Sequence, residues 1–350
     1  MIQFGRAGRR AVLAGAAALA ALAGSLAAGG TAHAIIGGDV TTTSNFPSYV
    51  KVTTGTGVCG GTLIAPTAVL TAAHCVEGVS PGSVLGQVTV FVKDSIPVPA
   101  ISITIHPLWN GHVVDGHDLA IVTLPPATTI GVPNVQVGSP FDASYYAPNT
   151  PATIVGHGAT TPSGPVSPTL QAADTVLRSD DYMDDIYNPW YWFDHWNSFL
   201  MIGAGSTTKT TCFGDSGGPL FVHKRGASDL TQVEVGVTSF TRGWPSEDCT
   251  HPGGFDELSG AQLAWVAQQV PSIKPAWGPC YQPNGLPGQA SARYVSSYLP
   301  AAHTDGPYYW EIACYGIPSQ PPPTTTPPPP TTDPPIPPMC RTTPWKCPDV

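Results

Sequence analysis

Gly214-Asp215-Ser216-Gly217-Gly218-Pro219-Leu220 is the stretch that says most about the fold of this chain. Two shorter stretches precede it, Thr71-Ala72-Ala73-His74-Cys75 and Asp118-Leu119-Ala120-Ile121, so a histidine, an acid and a serine follow one another along the sequence. A serine hydroxyl is a poor nucleophile at neutral pH and needs a base with a pKa near 7 to take its proton. A buried carboxylate orients that base and stabilises its charged form. The three stretches hold one residue suited to each of these roles.

His74, Asp118 and Ser216 are therefore the candidate catalytic residues. Gly214 precedes the serine by two positions and allows a sharp backbone turn, because glycine has no Cβ. That turn would aim the N–H groups of Gly214 and Ser216 at one point, forming an oxyanion hole worth about 3 kcal/mol per donor. Taken singly, the histidine suits a buried core position, the acid a turn and the glycines a tight loop. In this order and in these surroundings, they favour acyl-transfer chemistry.

The composition excludes several classes of protein. The 350 residues include 40 Pro and 38 Gly, and only 11% are charged, which indicates short strands joined by turns rather than a helical bundle. The chain has 14 Lys+Arg against 23 Asp+Glu and a pI near 5.4, so it lacks the clustered basic residues that phosphate binding requires. A nucleic-acid partner is not expected.

Residues 1–34 have the features of a secretory signal peptide. Arg6, Arg9 and Arg10 precede an uncharged run over residues 11–28, and Ala32-His33-Ala34 supplies small residues at the spacing of a cleavage site. The adjacent arginines leave general and twin-arginine export both open. An uncleaved membrane anchor is the alternative, which the Ala- and Gly-rich composition disfavours. The sequence thus predicts a secreted, extracellular protein that has no membrane contact once the signal is removed.

The cysteines favour disulfides. All of them follow the signal peptide, and an even number of cysteines in an exported protein indicates disulfides rather than metal ligation. We expect no metal and no cofactor. The eight residues are Cys59, Cys75, Cys212, Cys249, Cys280, Cys314, Cys340 and Cys347.

Short apolar runs separated by Gly, Pro, Asn and Ser clusters continue to about residue 270, which is typical of an all-β barrel or sandwich. Ser259 to Val270 alone has a clear helical period, and Pro271 ends it. Residues 272–317 form an extension whose pattern assigns no fold. Residues 318–338 are Pro- and Thr-rich and indicate a semi-rigid polyproline linker. Residues 339–350 form a short tail that suits a small disulfide loop.

Residues 35–271, which contain these motifs, resemble the trypsin- and chymotrypsin-like secreted serine proteases. The resemblance implies an all-β fold of two six-stranded antiparallel β-barrels with a C-terminal helix, and the triad in the cleft between them. It also implies endopeptidase activity on protein or peptide substrates. Ser239 looks like the family's serine that supports the catalytic aspartate. Cys59 and Cys75 match one family disulfide, and Cys212 and Cys249 match another.

The resemblance extends to activation. Ile35-Ile36-Gly37-Gly38 looks like the family's mature N-terminus, whose freed α-amino group pairs with the aspartate before the nucleophile, here Asp215. The predicted signal cleavage after Ala34 releases Ile35 directly. The sequence therefore suggests that removal of the signal is itself the activating step.

Three departures from the family pattern affect details rather than mechanism. Gly203 stands where the family has a cysteine, and its usual partner near residues 179–183 is also absent, so a whole disulfide is missing. His157 replaces a tryptophan between two glycines. Phe240-Thr241 replaces a Trp-Gly pair along the substrate-binding edge.

The same alignment gives the specificity pocket. Thr210 takes the position of the pocket floor, where trypsin-type enzymes carry an aspartate, and Thr241 and Gly253 line the sides. No charge is present there to bind Arg or Lys, so we expect cleavage after small or medium uncharged residues. Glu247 or Asp248 in the unusual loop from Gly243 to Asp248 would change that preference by folding inward.

Two aromatic regions each allow two interpretations. The stretch from Asp180 to Phe199 suits either an extended wall for substrate or a loop whose rings are buried against the second barrel. Tyr and Trp residues in the C-terminal region suggest a cell-wall or polysaccharide contact, although no repeat supports it. For the whole protein, the alternatives to an endopeptidase are a catalytically silent homologue that serves as a binding module and an esterase that barely cleaves peptides.

Overall fold

A computed structural model of the chain describes residues 35–55, 57–79, 84, 86–129, 131–187, 196–223, 231–241, 249–277, 280–281, 287–296 and 308–316. The predicted signal peptide, the Pro/Thr linker, and Cys340 and Cys347 lie outside these residues. So do Glu247 and Asp248. Among the described residues, no helix has both the length and the apolar character needed to cross a membrane.

Eighteen strands and two α-helices form the described structure. The strands are β1 (Asp39–Val40), β2 (Tyr49–Thr54), β3 (Gly57–Ala65), β4 (Ala68–Thr71), β5 (Thr89–Val92), β6 (Ile96–Pro99), β7 (Ser102–Ile105), β8 (Ala120–Thr123), β9 (Gln136–Val137), β10 (Pro151–Gly156), β11 (Gln171–Arg178), β12 (Met201–Ala204), β13 (Pro219–His223), β14 (Gln232–Phe240), β15 (Gly253–Glu257), β16 (Cys280–Tyr281), β17 (Pro287–Ser296) and β18 (Tyr308–Gly316). The helices are α1 (Asp180–Tyr187) and α2 (Gly260–Gln269).

The first sheet has seven antiparallel strands in the order β6-β5-β2-β3-β4-β8-β7. Its two edge strands, β6 and β7, are separated in sequence only by Ala100 and Ile101. The Ala100 N–H donates to Val88 beside β5, and the Ile101 N–H donates to Thr123 of β8. One bent segment therefore joins both edges and curls the sheet into an open barrel.

The second sheet closes completely. Its strands run β11-β10-β13-β14-β15-β12, and β12 pairs again with β11 to complete six strands. The short strand β1 pairs with β11 outside the ring, and β9 pairs with β14 in parallel orientation. One closed and one open barrel confirm the predicted all-β, two-barrel fold, with the β9 pairing as its one parallel contact among the described strands.

The predicted terminal helix is present as α2, with Ser259 as its N-cap residue. Its sequence GAQLAWVAQQ is apolar on most of its surface, so Leu263, Trp265 and Val266 are fully or nearly fully buried. These side chains join the apolar core of the first sheet, although the helix follows the last strand of the second barrel. The helix therefore ties the two barrels together.

The structure assigns a fold to part of the C-terminal extension, for which the sequence pattern gave none. Strands β16, β17 and β18 form a separate antiparallel sheet. Both β17 and β18 lie against α2. Cys280 on β16 is disulfide-bonded.

The acidic and aromatic stretch contains the short helix α1, which the sequence analysis did not predict. Of its described rings, those of Tyr187 and Trp196 are buried, whereas those of Tyr182 and Phe199 are exposed. The Trp196 indole N–H donates to Asp180 over 2.8 Å. This arrangement favours burial of the stretch over an extended substrate wall, while residues 188–195 lie outside the described part.

The absent family disulfide is replaced by packing. Met183 of α1 is fully buried and lies directly over Gly203 of β12. A Cβ built on that glycine would lie 2.4 Å from the Met183 sulfur. The thioether therefore fills the space that a side chain at position 203 would need.

His157 takes the place of the family tryptophan as a buried polar link. Its Nδ1 lies 3.0 Å from the Tyr49 hydroxyl on β2, and its Nε2 lies 3.3 Å from Asp94 in the turn between β5 and β6. Both partners belong to the first sheet, whereas His157 follows β10 of the second. His157 thus makes a polar contact between the two barrels.

A second polar link between the barrels joins Thr62 of β3 to Glu234 of β14. The Thr62 hydroxyl donates to Glu234 Oε1 over 2.9 Å, while Oε2 is buried without a hydrogen-bond partner. Burial raises the pKa of Glu234 to about 8, although the Thr62 hydrogen bond opposes the shift. The folded protein therefore holds a proton here that the unfolded chain loses at a lower pH.

We expect Glu234→Gln to stabilise the protein at alkaline pH. An acid whose pKa is raised on folding favours the folded state at low pH and loses that advantage as the pH rises toward 8. The glutamine keeps an acceptor for Thr62 but has no charge to bury. Urea unfolding with intact disulfides should show similar stability at pH 5 and a gain on the order of 3 kcal/mol at pH 9. The exposed Asp39→Asn is the control, and an equal effect of Glu234→Gln at both pH values would contradict the assignment.

Candidate active site

His74 and Asp118 meet because their strands are neighbours. His74 follows β4 and Asp118 precedes β8, and these strands pair antiparallel with Thr71 opposite Ala120. Both residues therefore leave the sheet at the same end. The His74 Nδ1 lies 2.6 Å from Asp118 Oδ2, and the main-chain N–H of His74 donates to Oδ1 over 2.8 Å. Two hydrogen bonds thus fix the orientation of the imidazole ring.

Asp118 is also held from the opposite barrel. Ser239 on β14 donates its hydroxyl to Asp118 Oδ2 over 2.6 Å. The Asp118 side chain is fully buried, whereas that of His74 keeps 25% of its surface exposed. The carboxylate is therefore shielded from water while the ring remains accessible from the cleft.

Opposing effects act on the pKa of His74. Burial lowers it, but the hydrogen bond to Asp118 and the negative charges of Asp118 and Glu77 raise it, and the net shift is upward from 6.5. The ring therefore takes up a proton more readily than a free imidazole does. These are the properties of a general base that later acts as an acid.

Ser216 lies in a loop that packs against the first sheet. Its carbonyl accepts from the Gly60 N–H over 2.8 Å, and the next residue, Gly217, donates to Thr238 of β14. A Cβ at Gly217 would lie 2.2 Å from the Thr71 hydroxyl, so only glycine permits this approach to the strand that precedes His74. Among the described residues, no hydrogen bond links the Ser216 hydroxyl to His74, a contact that often forms fully only with bound substrate.

The predicted turn at Gly214 is present, with a φ of +95°. Behind it, the Asp215 carboxylate accepts the N–H of Gly158 over 2.7 Å and that of Cys212 over 2.9 Å. A Cβ at Gly158 would lie 2.4 Å from the Asp215 carboxyl carbon, so this glycine is needed for close approach. Burial raises the pKa of Asp215 to about 7, although both N–H groups oppose the shift.

Ile35 and Ile36 lie beside this loop. The side chain of Ile35 is fully buried in the core of the second barrel. Ile36 exchanges two main-chain hydrogen bonds with Thr210, at 3.0 and 3.2 Å. The candidate mature terminus is thus anchored to the segment that carries Cys212, Gly214 and Asp215.

Two of the expected disulfides are present, Cys59–Cys75 and Cys212–Cys249. The first ties β3 to the residue after His74, and the second ties the Ser216 loop to the segment before β15. Within the described residues, Cys59, His74 and Cys75 form the one group of clustered potential metal ligands. Because both sulfurs are in a disulfide, they offer no thiolate to a metal ion.

The residues of the expected specificity pocket lie on neighbouring segments. Thr210 is fully buried, and its hydroxyl donates to the His251 carbonyl over 2.6 Å. A Cβ at Gly253 would lie 2.4 Å from the Thr211 hydroxyl. The Thr241 hydroxyl is buried without a hydrogen-bond partner. The side-chain hydroxyls described here, those of Thr210, Thr211 and Thr241, carry no charge.

The sequence did not indicate two contacts in this region. The Phe240 ring covers Gly254, where a Cβ would lie 2.5 Å from the ring. Tyr187 of α1 packs edge-on against Phe240 and donates its hydroxyl to the Pro252 carbonyl over 2.6 Å. Its place in an aromatic stretch was the only signal, because contact across 65 residues of sequence leaves no local pattern. A buried acid behind Asp118, Asp256, was missed for the same reason.

We expect the His74 ring to titrate above 6.5 in NMR spectra and to titrate lower in the Asp118→Asn variant. The amide keeps the shape of the site but removes the negative charge, so the lowering effect of burial prevails. The exposed ring of His223 provides a reference signal in both spectra. A His74 pKa that is unchanged by the substitution would show that Asp118 does not govern this base.

Comparisons with known proteins agree with this geometry. The family model for trypsin matches residues 35–265. The chain is 32% identical over 249 residues to chymotrypsin-like elastase family member 1 of Bos taurus, which covers 68% of this chain and 90% of the relative. It is also 32% identical over 243 residues to a trypsin of Saccharopolyspora erythraea, covering 67% of this chain and 98% of that protein. Proproteinase E of Bos taurus is 34% identical over 221 residues, covering 61% and 84%.

Proposed function

Because this chain belongs to the trypsin family and is a serine endopeptidase, we propose that it cleaves peptide bonds through an acyl-enzyme formed on Ser216. In this proposal His74 is the general base and acid, and Asp118 orients it. The observation that carries the assignment is the buried Asp118 carboxylate, which hydrogen-bonds both His74 from one barrel and Ser239 from the other.

The proposed reaction begins when the Ser216 Oγ attacks the scissile carbonyl carbon and its proton passes to His74 Nε2. Asp118 stabilises the imidazolium through Nδ1. The tetrahedral intermediate then collapses, the carbon–nitrogen bond breaks and His74 gives its proton to the leaving amine. Water repeats the sequence on the ester, and Ser216 recovers its proton. No redox change occurs. The proton that Ser216 loses leaves with the amine and is replaced by one from water, so Ser216 and His74 both end in their starting protonation states.

The oxyanion that forms in each step needs hydrogen-bond donors already in position. The N–H groups of Gly214 and Ser216 would supply them, at about 3 kcal/mol for each donor. The left-handed turn at Gly214 and the hydrogen bonds that hold Asp215 support this role. The loop is therefore the second part of the proposed catalytic machinery.

Signal removal is the proposed activation step. Asp215 is buried against two N–H donors, and within the described part of the chain it has no salt-bridge partner. An α-amino group freed at Ile35 would supply the positive charge that this carboxylate lacks. The adjacent hydrogen bonds between Ile36 and Thr210 support such a docking. Secretion and extracellular action belong to the same proposal, because they depend on cleavage of residues 1–34.

The proposed specificity is for uncharged residues of small or medium size before the scissile bond. The relatives described above are named both as elastases and as a trypsin, so similarity alone does not choose between substrates. The choice rests on Thr210, whose hydroxyl is engaged by the His251 carbonyl, and on Thr241. Neither supplies the negative charge that would balance a buried Arg or Lys side chain.

The C-terminal region is the proposed site of any contact with a cell wall or polysaccharide. The antiparallel sheet of β16, β17 and β18, which lies against α2, supports this proposal as an added surface beside the barrels. Of the aromatic residues in this region, Trp277 is buried and its indole N–H donates to the Val137 carbonyl over 2.7 Å, so its ring packs against the barrels. Its test is co-sedimentation of the full chain with insoluble wall polymer.

An intact mass spectrum of the secreted protein tests catalysis and activation together. After treatment with a small organophosphorus serine reagent, we expect a chain that starts at Ile35 and carries one adduct. The Ser216→Ala variant should carry none, because the nucleophile is absent. Absence of an adduct on the chain that starts at Ile35 would favour the silent binding module. A reactive chain that starts elsewhere would contradict the activation step.

Kinetics with matched peptide amides test specificity. We expect Ala, Leu or Phe before the scissile bond to give a higher kcat/KM than Arg, since the cationic side chain would be desolvated without a partner. Faster turnover of the Arg substrate would overturn this preference. Esters of the same residues, measured in parallel, would reveal an esterase if only they are hydrolysed.

A further inference from the structure

The carboxyl group of Asp256 lies directly behind the acid of the candidate triad. Asp256 is on β15, is fully buried, and accepts the main-chain N–H of Asp118 through Oδ1 over 3.0 Å. We propose that Asp256 is a positioning residue, kept as a neutral carboxylic acid, which fixes the main chain that carries Asp118. The inference rests on the proposed function, because it gives Asp118 the role of orienting His74.

The segment that Asp256 holds is conformationally strained. His117 has a φ of +61°, in the left-handed region that side chains with a Cβ disfavour. The Leu119 N–H donates to the His117 carbonyl over 2.8 Å, which tightens the turn around Asp118. The main-chain N–H of His117 also interacts with the Asp256 carboxyl group. Two adjacent N–H groups are thus held by one side chain, and such a turn persists only where its surroundings fix it.

Asp118 is held by side chains from two paired strands, β14 and β15. Ser239 on β14 binds the Asp118 carboxylate, and Asp256 on the neighbouring β15 binds its main chain. β14 and β15 pair antiparallel, with Val237 opposite Asp256. The second barrel therefore fixes both ends of the residue that orients His74, although Asp118 itself leaves the first sheet.

A neutral Asp256 avoids a second negative charge in this place. Burial, and then the charge of Asp118, raise the pKa of Asp256 well above its usual range. No lysine or arginine forms an ion pair with it within the described residues. The titratable rings nearby are those of His117 and of His106, which stack at 4.7 Å. Burial lowers the pKa of His106 to about 2, with His117 adding to the shift, so His106 contributes no positive charge.

Two orphaned oxygens identify the position of the proton. Asp256 Oδ2 and Gln262 Oε1 are both buried without a hydrogen-bond partner. The side chain of Gln262 on α2 lies beside Asp256, and its amide nitrogen donates to the Leu200 carbonyl over 2.5 Å. In the proposed neutral form a proton on Oδ2 could be donated to Gln262 Oε1, which the ionised acid could not do. The terminal helix is thereby linked to the candidate site through Gln262, Asp256 and Asp118.

The behaviour of the Asp256→Asn variant depends on whether Asp256 is neutral or anionic. An asparagine accepts the Asp118 N–H through its oxygen and donates to Gln262 through its nitrogen, so it reproduces every hydrogen bond of the neutral acid. If Asp256 instead acted as an anion, asparagine would remove its charge. Alanine removes the acceptor in either case and leaves the Asp118 N–H buried without a partner.

The test compares Asp256→Asn with Asp256→Ala in the full mature enzyme, with the exposed Asp174→Asn as control. We expect the alanine variant to lose about tenfold or more in kcat, with KM little changed, because base orientation and not substrate binding is affected. The asparagine variant should keep most of that activity. The low-field NMR signal of the His74 Nδ1 proton should be retained with asparagine and shifted with alanine. Equal losses in both variants, or an unshifted proton signal with alanine, would overturn the inference.

Infrared difference spectra decide the protonation state without reference to activity. At pH 7 the wild type minus Asp256→Asn spectrum should contain a carbonyl stretch of a protonated carboxylic acid. A carboxylate band instead would overturn the inference, even if the alanine variant does not fold. Wild-type enzyme that fails to react with the organophosphorus reagent would contradict the proposed function, whereas a reactive wild type with a carboxylate band would contradict only the neutral Asp256.

Discussion

The site depends on one buried negative charge, the carboxylate of Asp118. A buried charge is stable only when hydrogen-bond donors replace the water around it, and here the donors come from both barrels. The first sheet supplies His74 through its ring and its main chain, and the second supplies Ser239. These hydrogen bonds fix the relative position of the two barrels at the place where His74 must be oriented. The same contacts therefore stabilise the fold and position the base.

Three other buried acids have raised pKa values and therefore favour the protonated form. Glu234, Asp215 and Asp256 are buried carboxyl groups that gain too few donors to favour ionisation, and burial raises the pKa of each. Each of these acids contacts a different group. Thr62 links Glu234 across the barrels, main-chain N–H groups hold Asp215, and Asp118 lies beside Asp256. Among the described residues, these three acids favour the neutral form, while the Asp118 carboxylate at the candidate centre accepts three hydrogen bonds.

Much of the fold was predictable because its signals are local. Short apolar runs separated by Gly, Pro, Asn and Ser clusters indicated strands, and the helical period of residues 259–270 indicated α2, which the structure bounds within one residue at each end. The motifs around His74, Asp118 and Ser216 were informative since glycines and small residues are needed there for close approach. Helix α1 and the sheet of β16, β17 and β18 were not predicted. Their stability depends on Met183 lying over Gly203 and on contact with α2, and neither contact leaves a periodic pattern in the sequence.

The sequence by itself determined the residue types, their order and the glycines, and these were sufficient to indicate an all-β serine protease with two of its disulfides. Only the tertiary structure decided which groups share the interior. Tyr49 with His157, Thr62 with Glu234, and Asp118 with Asp256 are separated by more than 100 residues each, and each pair meets across the two barrels. The physical reason is that hydrogen bonding and desolvation depend on distances of a few ångströms in the folded chain. Sequence spacing records such distances only within a strand, a helix or a turn.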